Sequence, residues 1–145
     1  MQIITHSTQE TQALAQKLAE TLRGGEIIAY TGGLGVGKTA FTGGLARGLG
    51  IFEAITSPTY TIVNAYTGGR LPLFHFDMYR LASSDALFDI GWEDYLAEGG
   101  VCAVEWSENV SDVMQGAIVV HIERIDEDTR KITIEGSALL ADTCL

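Results

Sequence analysis

With 145 residues the chain is long enough for one domain that buries about two-thirds of the surface its unfolded form exposes. A hydrophobic content of 46% with only two prolines excludes a disordered segment and points to a packed globular core. Nineteen acidic against nine basic residues give a net charge of -10, which repels polyphosphate backbones and excludes a nucleic acid held by charge alone.

No basic stretch, signal-like apolar segment or run of membrane-spanning length occurs, so the expected location is the cytoplasm, without membrane contact. Cys102 lies in an apolar run and Cys144 stands far from it, with neither metal-ligand spacing nor a disulfide framework. Both are read as plain thiols.

The first element is a helix. Ser7-x-x-Glu10 is a capping-box pattern, Leu14, Ala15, Leu18, Ala19 and Leu22 follow at helical spacing, and Gly24-Gly25 stops the run. Ile27-Ile28-Ala29-Tyr30 is a short apolar stretch, the pattern of a strand covered on both faces in a parallel sheet, and it leads directly into Gly32 to Lys38. Thr39 to Leu49 has the length of a helix, although Gly43, Gly44 and Gly48 each cost up to about 1 kcal/mol relative to alanine. Close packing on the sheet is the expected reason for them.

Tyr60 to Tyr66, the turn Gly68-Gly69 and Leu71 to Phe76 predict an antiparallel hairpin, with Asp77 at the exit of its second strand. Ser83 or Ser84 caps a short helix through Ile90, and another covers Trp92 to Leu96 before Gly99-Gly100 breaks it. Val101 to Val104 is a second fully apolar strand, ending on Glu105. Ala117 to Ile122 and Lys131 to Glu135 flank the charged turn Asp126-Glu127-Asp128 as a terminal hairpin. The fold class that follows is α/β, a P-loop NTPase-type, mainly parallel sheet with flanking helices and appended antiparallel hairpins, in a single domain over residues 1–145.

Gly32-Gly33-Leu34-Gly35-Val36-Gly37-Lys38-Thr39 meets every position of G-x-x-x-x-G-K-[ST], between an apolar strand and a helical stretch. Backbone N–H groups from Gly33 through Gly37 can turn inward around phosphate oxygens, and the helix that begins with Lys38, Thr39 and Ala40 adds its positive end. Lys38 supplies a point charge for the β- and γ-phosphates, and the Thr39 hydroxyl is a hard ligand suited to Mg²⁺. Gly35-x-Gly37-x-x-Ala40 also fits a dinucleotide fingerprint, but Ser57-Pro58-Thr59 and a hairpin stand where a Rossmann site wants a strand ending in an acid.

A phosphate loop of this kind needs a carboxylate at the end of a neighbouring strand. Asp77 and Glu105 both qualify. Glu105 is assigned to magnesium because its strand has the pattern of one covered on both faces, whereas Asp77 ends a hairpin strand that contains His75. Asp77 is then free to orient an attacking water or sense the γ-phosphate, its other reading being a cap or turn acid. Thr59, in a turn stiffened by Pro58, could bring a second hydroxyl to the γ-phosphate. Arg80 is read as a surface-pair arginine rather than an internal arginine finger, and His75 as a hydrogen-bonded strand histidine rather than a metal ligand. Trp106 fits either the core or a contact surface.

Four ordered motifs, Gly32 to Thr39, Ser57-Pro58-Thr59-Tyr60, His75-Phe76-Asp77-Met78-Tyr79-Arg80-Leu81 and Glu105-Trp106-Ser107-Glu108, make the chain resemble the TsaE family over nearly its whole length. These are the bacterial P-loop ATPases of tRNA threonylcarbamoyladenosine biosynthesis. The resemblance implies ATP and Mg²⁺ as cofactors and an ATPase that is weak alone and stimulated by partners. Those partners are a TsaD-like threonylcarbamoyl transferase subunit and its inactive TsaB-like paralogue, which modify adenosine 37 of tRNAs reading codons that begin with A. Direct tRNA binding is not expected.

By that likeness Thr39 and Glu105 serve magnesium, and Asp77 and Thr59 lie at the γ-phosphate, completing with Lys38 a catalytic set. The loop from Gly33 to Ala40 holds the nucleotide. Ser7, in a Ser-x-x-Glu-Thr box through Thr11, lies near the adenine or is an ordinary helix cap. One departure is Gly33, where the family usually has the aspartate of Gly-Asp-Leu-Gly. The backbone cradle survives that change, while hydrolysis or partner signalling is expected to be weaker. Ser107 stands where proline is common. Two rival functions use the same loop: a small-molecule kinase with Asp77 as base, and a GTP-type switch, which would want an Asn-Lys-x-Asp segment that the chain lacks.

Overall fold

Ser7 takes extended backbone and its hydroxyl accepts the Glu10 N–H at 3.1 Å, so the capping pattern starts a helix where the sequence predicts one. The Glu10 carboxylate reaches back to the N–H of His6 at 3.3 Å, one residue upstream of the reciprocal capping-box partner. In the computed structural model, which describes residues 1–33, 37–58, 61–81 and 83–137, the elements run β1 (Gln2–Thr5), α1 (Thr8–Glu20), β2 (Ile27–Thr31), α2 (Lys38–Gly48), β3 (Val63–Tyr66) and β4 (Leu73–Asp77). There follow α3 (Ser84–Asp89), α4 (Trp92–Ala97), β5 (Val101–Glu105), a 3-10 segment (Ser107–Val113), β6 (Ile118–Arg124) and β7 (Arg130–Glu135).

The strands form one sheet in the order β1-β7-β6-β2-β5-β4-β3. Its centre is parallel, since β2 pairs in parallel with both β5 and β6, and β5 with β4. The β3–β4 and β6–β7 hairpins close it with antiparallel ladders. This is the α/β architecture expected from the apolar runs.

Two features differ from the sequence reading. β4 is a hairpin strand and also a parallel partner of β5, so all five of its residues are buried. β1 was not anticipated: it is a four-residue edge strand on β7, with a burial pattern too short and too exposed to carry a recognisable period.

Alternation along the strands sorts side chains to two cores. Ile28, Tyr30, Leu73, Val101 and Ala103 face α1 and α2, whereas Phe74, Phe76, Cys102 and Val104 meet Leu87, Trp92 and Val110 on the other side. Burial, with a smaller contribution from the Glu98 charge, pushes the Cys102 thiol up to about 12, so it stays protonated and unreactive at neutral pH. Cys144 lies outside the described residues. No described helix is long and apolar enough to cross a membrane.

The glycines of α2 pack against α1, not against the sheet as the sequence reading proposed. A Cβ at Gly44 would stand 2.4 Å from the Gln12 carbonyl oxygen and 2.8 Å from the Ala15 Cβ, and one at Gly48 would stand 2.5 Å from the Ala19 Cβ. Only hydrogen at these positions lets the two helices approach so closely. Arg70 secures the far end of α1, donating to the carbonyls of Ala19 and Leu22, both at 3.0 Å.

Gly43 is the internal control, because its Cβ would meet only the Gln12 amide at 3.8 Å. In urea unfolding, Gly44→Ala is expected to destabilise the protein by about 2 kcal/mol through overpacking, and Gly43→Ala to stabilise it by up to about 1 kcal/mol through helix propensity. Equal shifts for the two variants would contradict the helix contact.

Candidate functional site

The turn from β2 to α2 depends on backbone that only glycine adopts freely. Gly32 has φ 120° and Gly37 φ 112°, and Gly37 is the N-cap residue of α2, its carbonyl accepting the Phe41 N–H at 3.0 Å. Leu34, Gly35 and Val36 lie outside the described residues, as do Thr59 and Tyr60. Gly33 is exposed and a Cβ there would meet nothing within 4 Å, so the backbone has room for a side chain at the position where the sequence departs from the family pattern.

Lys38 and Thr39 open the helix, Lys38 buried and Thr39 exposed. The first turn of α2 is tied to β2 by a hydrogen-bond chain. The Thr42 hydroxyl donates to the Lys38 carbonyl at 2.8 Å, and because it has one proton, Tyr30 must donate to it, also at 2.8 Å. Burial, reinforced by the Glu105 charge and opposed by the Thr42 hydrogen bond, raises the Tyr30 phenol far above its usual range, so it remains a donor.

The two candidate carboxylates end adjacent strands at one level, with Asp77 paired to Glu105 across the β4–β5 ladder. Both are buried. Strand burial therefore does not separate them as the sequence reading supposed, since β4 is covered on both faces once β5 pairs with it. Sheet order does separate them. β5 lies directly beside β2, the strand that feeds the glycine loop, and β4 is one strand farther away. Asp77 accepts the Tyr79 N–H at 2.9 Å, so it is also a turn acid. His75 is a hydrogen-bonded strand histidine, and its partner is Glu105, with Nε2 2.5 Å from Oε2.

Beyond Glu105 the chain turns sharply through Trp106, whose φ of 57° is left-handed. The Trp106 ring packs at a tilt of 53° against exposed Tyr79, centroids 5.0 Å apart, and lies 5.2 Å from the Lys38 ammonium, neither plain core nor free surface. Ser107 is buried and donates to the Tyr30 carbonyl at 3.0 Å, a bond through which this segment is fastened to the end of β2. Asn109 likewise donates to the Met78 carbonyl at 2.9 Å. Arg80 is exposed.

A cavity of about 60 Å³ opens beside the N-terminus of α2, lined by Ser7, Thr8, Thr11, Gly37 and Ala40. Ser7 is thus a helix cap and a cavity wall at once. The opposite wall comes from the β6–β7 turn, with Glu127, Asp128 and Arg130. Asp126 shapes that turn by accepting the N–H groups of Asp128 and Thr129, and its carboxyl is held below the usual range, chiefly by the Thr129 side chain. Arg130 donates to the Asp126 and Glu127 carbonyls at 2.9 and 3.3 Å. Sequence reasoning missed Arg130, whose only local signal is its place between a charged turn and a terminal strand.

Among the described residues no group of three or more His, Cys, Asp or Glu could hold a metal by itself. The Thr39 hydroxyl and the Glu105 carboxylate are hard oxygen donors that suit Mg²⁺, which takes one or two protein carboxylates and fills the rest of its octahedron from phosphates and water. The donor set fits that ion.

The family model described as threonylcarbamoyl adenosine biosynthesis protein TsaE matches residues 5–132. The chain belongs to the TsaE family. The tRNA threonylcarbamoyladenosine biosynthesis protein TsaE of Treponema pallidum is 39% identical over 135 residues, covering 92% of this chain and 99% of that protein. Its counterpart in Bacillus subtilis is 40% identical over 130 residues, covering 89% and 81%. The fold agrees with that of a TsaE-family crystal structure, Bacillus subtilis YdiB, at a TM-score of 0.76 and 35% identity over 92% of this chain and 83% of that one.

The contact between Lys38 and Trp106 gives a direct optical test. A phosphate group in the loop should draw the ammonium off the ring, so adding ADP is expected to change tryptophan emission, and Trp106→Phe to remove the response, because the other tryptophan, Trp92, is buried against Phe76. A response that persists in Trp106→Phe would show that the contact is not exchanged for phosphate.

Proposed function

We propose that this chain is a Mg²⁺-dependent ATPase that supports threonylcarbamoylation of adenosine 37 in tRNAs reading codons that begin with A. The observation that carries the proposal is that Lys38 and Thr39 open a helix fed by a glycine loop while Glu105 and Asp77 end neighbouring parallel strands, Glu105 on the strand next to the one that feeds the loop. Bound ATP·Mg²⁺ supplies an activated phosphoanhydride and an ion that neutralises charge on the β- and γ-oxygens.

The protein's part is to bind and orient. Lys38 and the loop N–H groups hold phosphate oxygens, Thr39 and Glu105 hold the ion, and Asp77 accepts a hydrogen bond from the attacking water, with Thr59 as a further hydroxyl at the γ-phosphate. The pocket walled by Ser7, Thr11 and Arg130 sits beside the same helix N-terminus, and Ser7 there is proposed to lie near the adenine. Gly33 leaves the loop without the carboxylate that related loops carry, in keeping with slow turnover by the chain alone.

The chain carries a net charge of -10, so its effect on tRNA passes through proteins. TsaD-like and TsaB-like subunits are the partners proposed, with ATP ordering the segment that includes Ser57-Pro58 at the contact.

Lys38 contributes charge-assisted bonds worth about 1.5–3 kcal/mol, so Lys38→Ala is expected to weaken ATP binding by about ten- to a hundredfold in a folded protein. Unchanged affinity by calorimetry would remove the phosphate loop from the proposal. Glu105→Gln should keep much of the nucleotide binding and lose most Mg²⁺-dependent phosphate release. Turnover equal to that of the parent would return the role to Asp77.

The partner proposal is tested with labelled tRNA at low salt and, separately, with the transferase pair and ATP. The expected result is no binding to tRNA alone and a rise in ATPase rate with the pair, partner contacts being able to supply up to about 10³–10⁵-fold in systems of this kind. A rate indifferent to the pair would count against it.

A further inference from the structure

His75 occupies a place where an apolar residue would be the simpler choice. Its side chain is 0% exposed, in the middle of a strand between β3 and β5. Register puts it opposite Ala103 and puts Asp77 opposite Glu105, so His75 and Glu105 are diagonal neighbours on one face of the sheet. The Ala103 methyl is too short to fill the space across from the imidazole, and the ring extends past it to Glu105, with Nε2 2.5 Å from Oε2. The other ring nitrogen, Nδ1, is the one buried side-chain polar atom among the described residues with no hydrogen-bond partner.

These two facts settle the tautomer together. A carboxylate can only accept, so Nε2 carries the proton and donates. In a neutral ring Nδ1 is then a bare acceptor, which burial tolerates better than an N–H with nothing to bind. Filling this position with a ring that leaves one nitrogen unsatisfied costs stability that an apolar side chain would not. What the protein gains is a glutamate with one oxygen engaged and its rotamer fixed.

We infer that His75 is a positioning residue for the metal: its Nε2–H holds Oε2 of Glu105 and thereby presents the remaining carboxylate oxygen to Mg²⁺. The inference rests on Glu105 serving magnesium, as proposed above. Without His75 the glutamate must give up side-chain freedom each time an ion binds, and outer partners of this kind orient a ligand for its metal. Asp77, two residues along on the same face, has its Oδ1 held by the Tyr79 N–H rather than by the histidine.

The test compares ADP affinity, by calorimetry, across a Mg²⁺ titration and in EDTA for the parent, His75→Leu and His75→Gln. In His75→Leu the Mg²⁺ concentration needed for half of the effect should rise about tenfold or more, with ADP affinity in EDTA unchanged. His75→Gln, whose amide can donate in place of Nε2, should keep most of the parent's Mg²⁺ dependence. Equal Mg²⁺ midpoints in parent and His75→Leu, or a loss of the same size in EDTA, overturn the inference while leaving Glu105 its role. ADP binding by the parent that ignores Mg²⁺ overturns the magnesium assignment and this inference with it.

The unsubstituted chain gives a readout that needs no variant to fold. Imidazole ¹⁵N spectra should show His75 protonated at Nε2, with the Nε2 signal moving when Mg²⁺ and ADP are added together but not when ADP is added in EDTA. An Nε2 without a proton, or a signal indifferent to Mg²⁺, overturns the inference.

Discussion

Strands β4, β5 and β2 run parallel and in register, and the site depends on that alignment. The β4–β5 ladder sets Asp77 against Glu105 and the β2–β5 ladder sets Ala29 against Val104, so the two carboxylates and the entry to the glycine loop come to one edge of the sheet. A slip of one residue in β4 or β5 would turn its acid to the opposite face, among Phe74, Phe76 and Trp92, away from α2. The apolar alternation that builds two separate cores is thus also what keeps His75, Asp77 and Glu105 on the side of α1 and α2.

A second constraint acts between helices. Gly44 and Gly48 let α2 lie against Ala15 and Ala19 of α1, and that closeness brings the first turn of α1 to the first turn of α2. Ser7 and Thr11 then share a cavity with Gly37 and Ala40. Glycine weakens a helix locally, but here it permits a contact that larger residues would hold apart. The β6–β7 turn completes the same cavity from a distant part of the chain, bringing Arg130 to a helix end that it never approaches in sequence.

Polar side chains in this core are bonded to one another in short chains that lead to the site. Tyr30 donates to Thr42 and Thr42 to the Lys38 carbonyl, while Ser107 donates to the carbonyl of Tyr30. The lysine-bearing turn, the end of β2 and the segment after Glu105 are therefore fixed to one another. Such a network in a low-dielectric interior is rigid when satisfied, and the one orphaned buried nitrogen among the described residues, Nδ1 of His75, belongs to the ring whose Nε2 meets the carboxylate proposed for magnesium.

Local features were legible in the sequence wherever one segment carries its own physics. Ser7 as a cap, the β2–loop–α2 passage with its Gly-Lys-Thr, the apolar run before Glu105 and the charged turn of the last hairpin each follow from backbone preference or periodicity within a few residues. Four-residue β1 has no such signal, because its pairing with β7 supplies the order that its own residues lack. Membership in the TsaE family was likewise legible, since ordered motifs at fixed intervals survive as text. Only the tertiary structure decided that β4 is both hairpin strand and parallel neighbour of β5, that the glycines of α2 face α1, that Arg130 walls the cavity and that His75 binds Glu105. Each of those joins residues from separate segments, and their meeting is set by sheet register and packing distance, which no local pattern encodes.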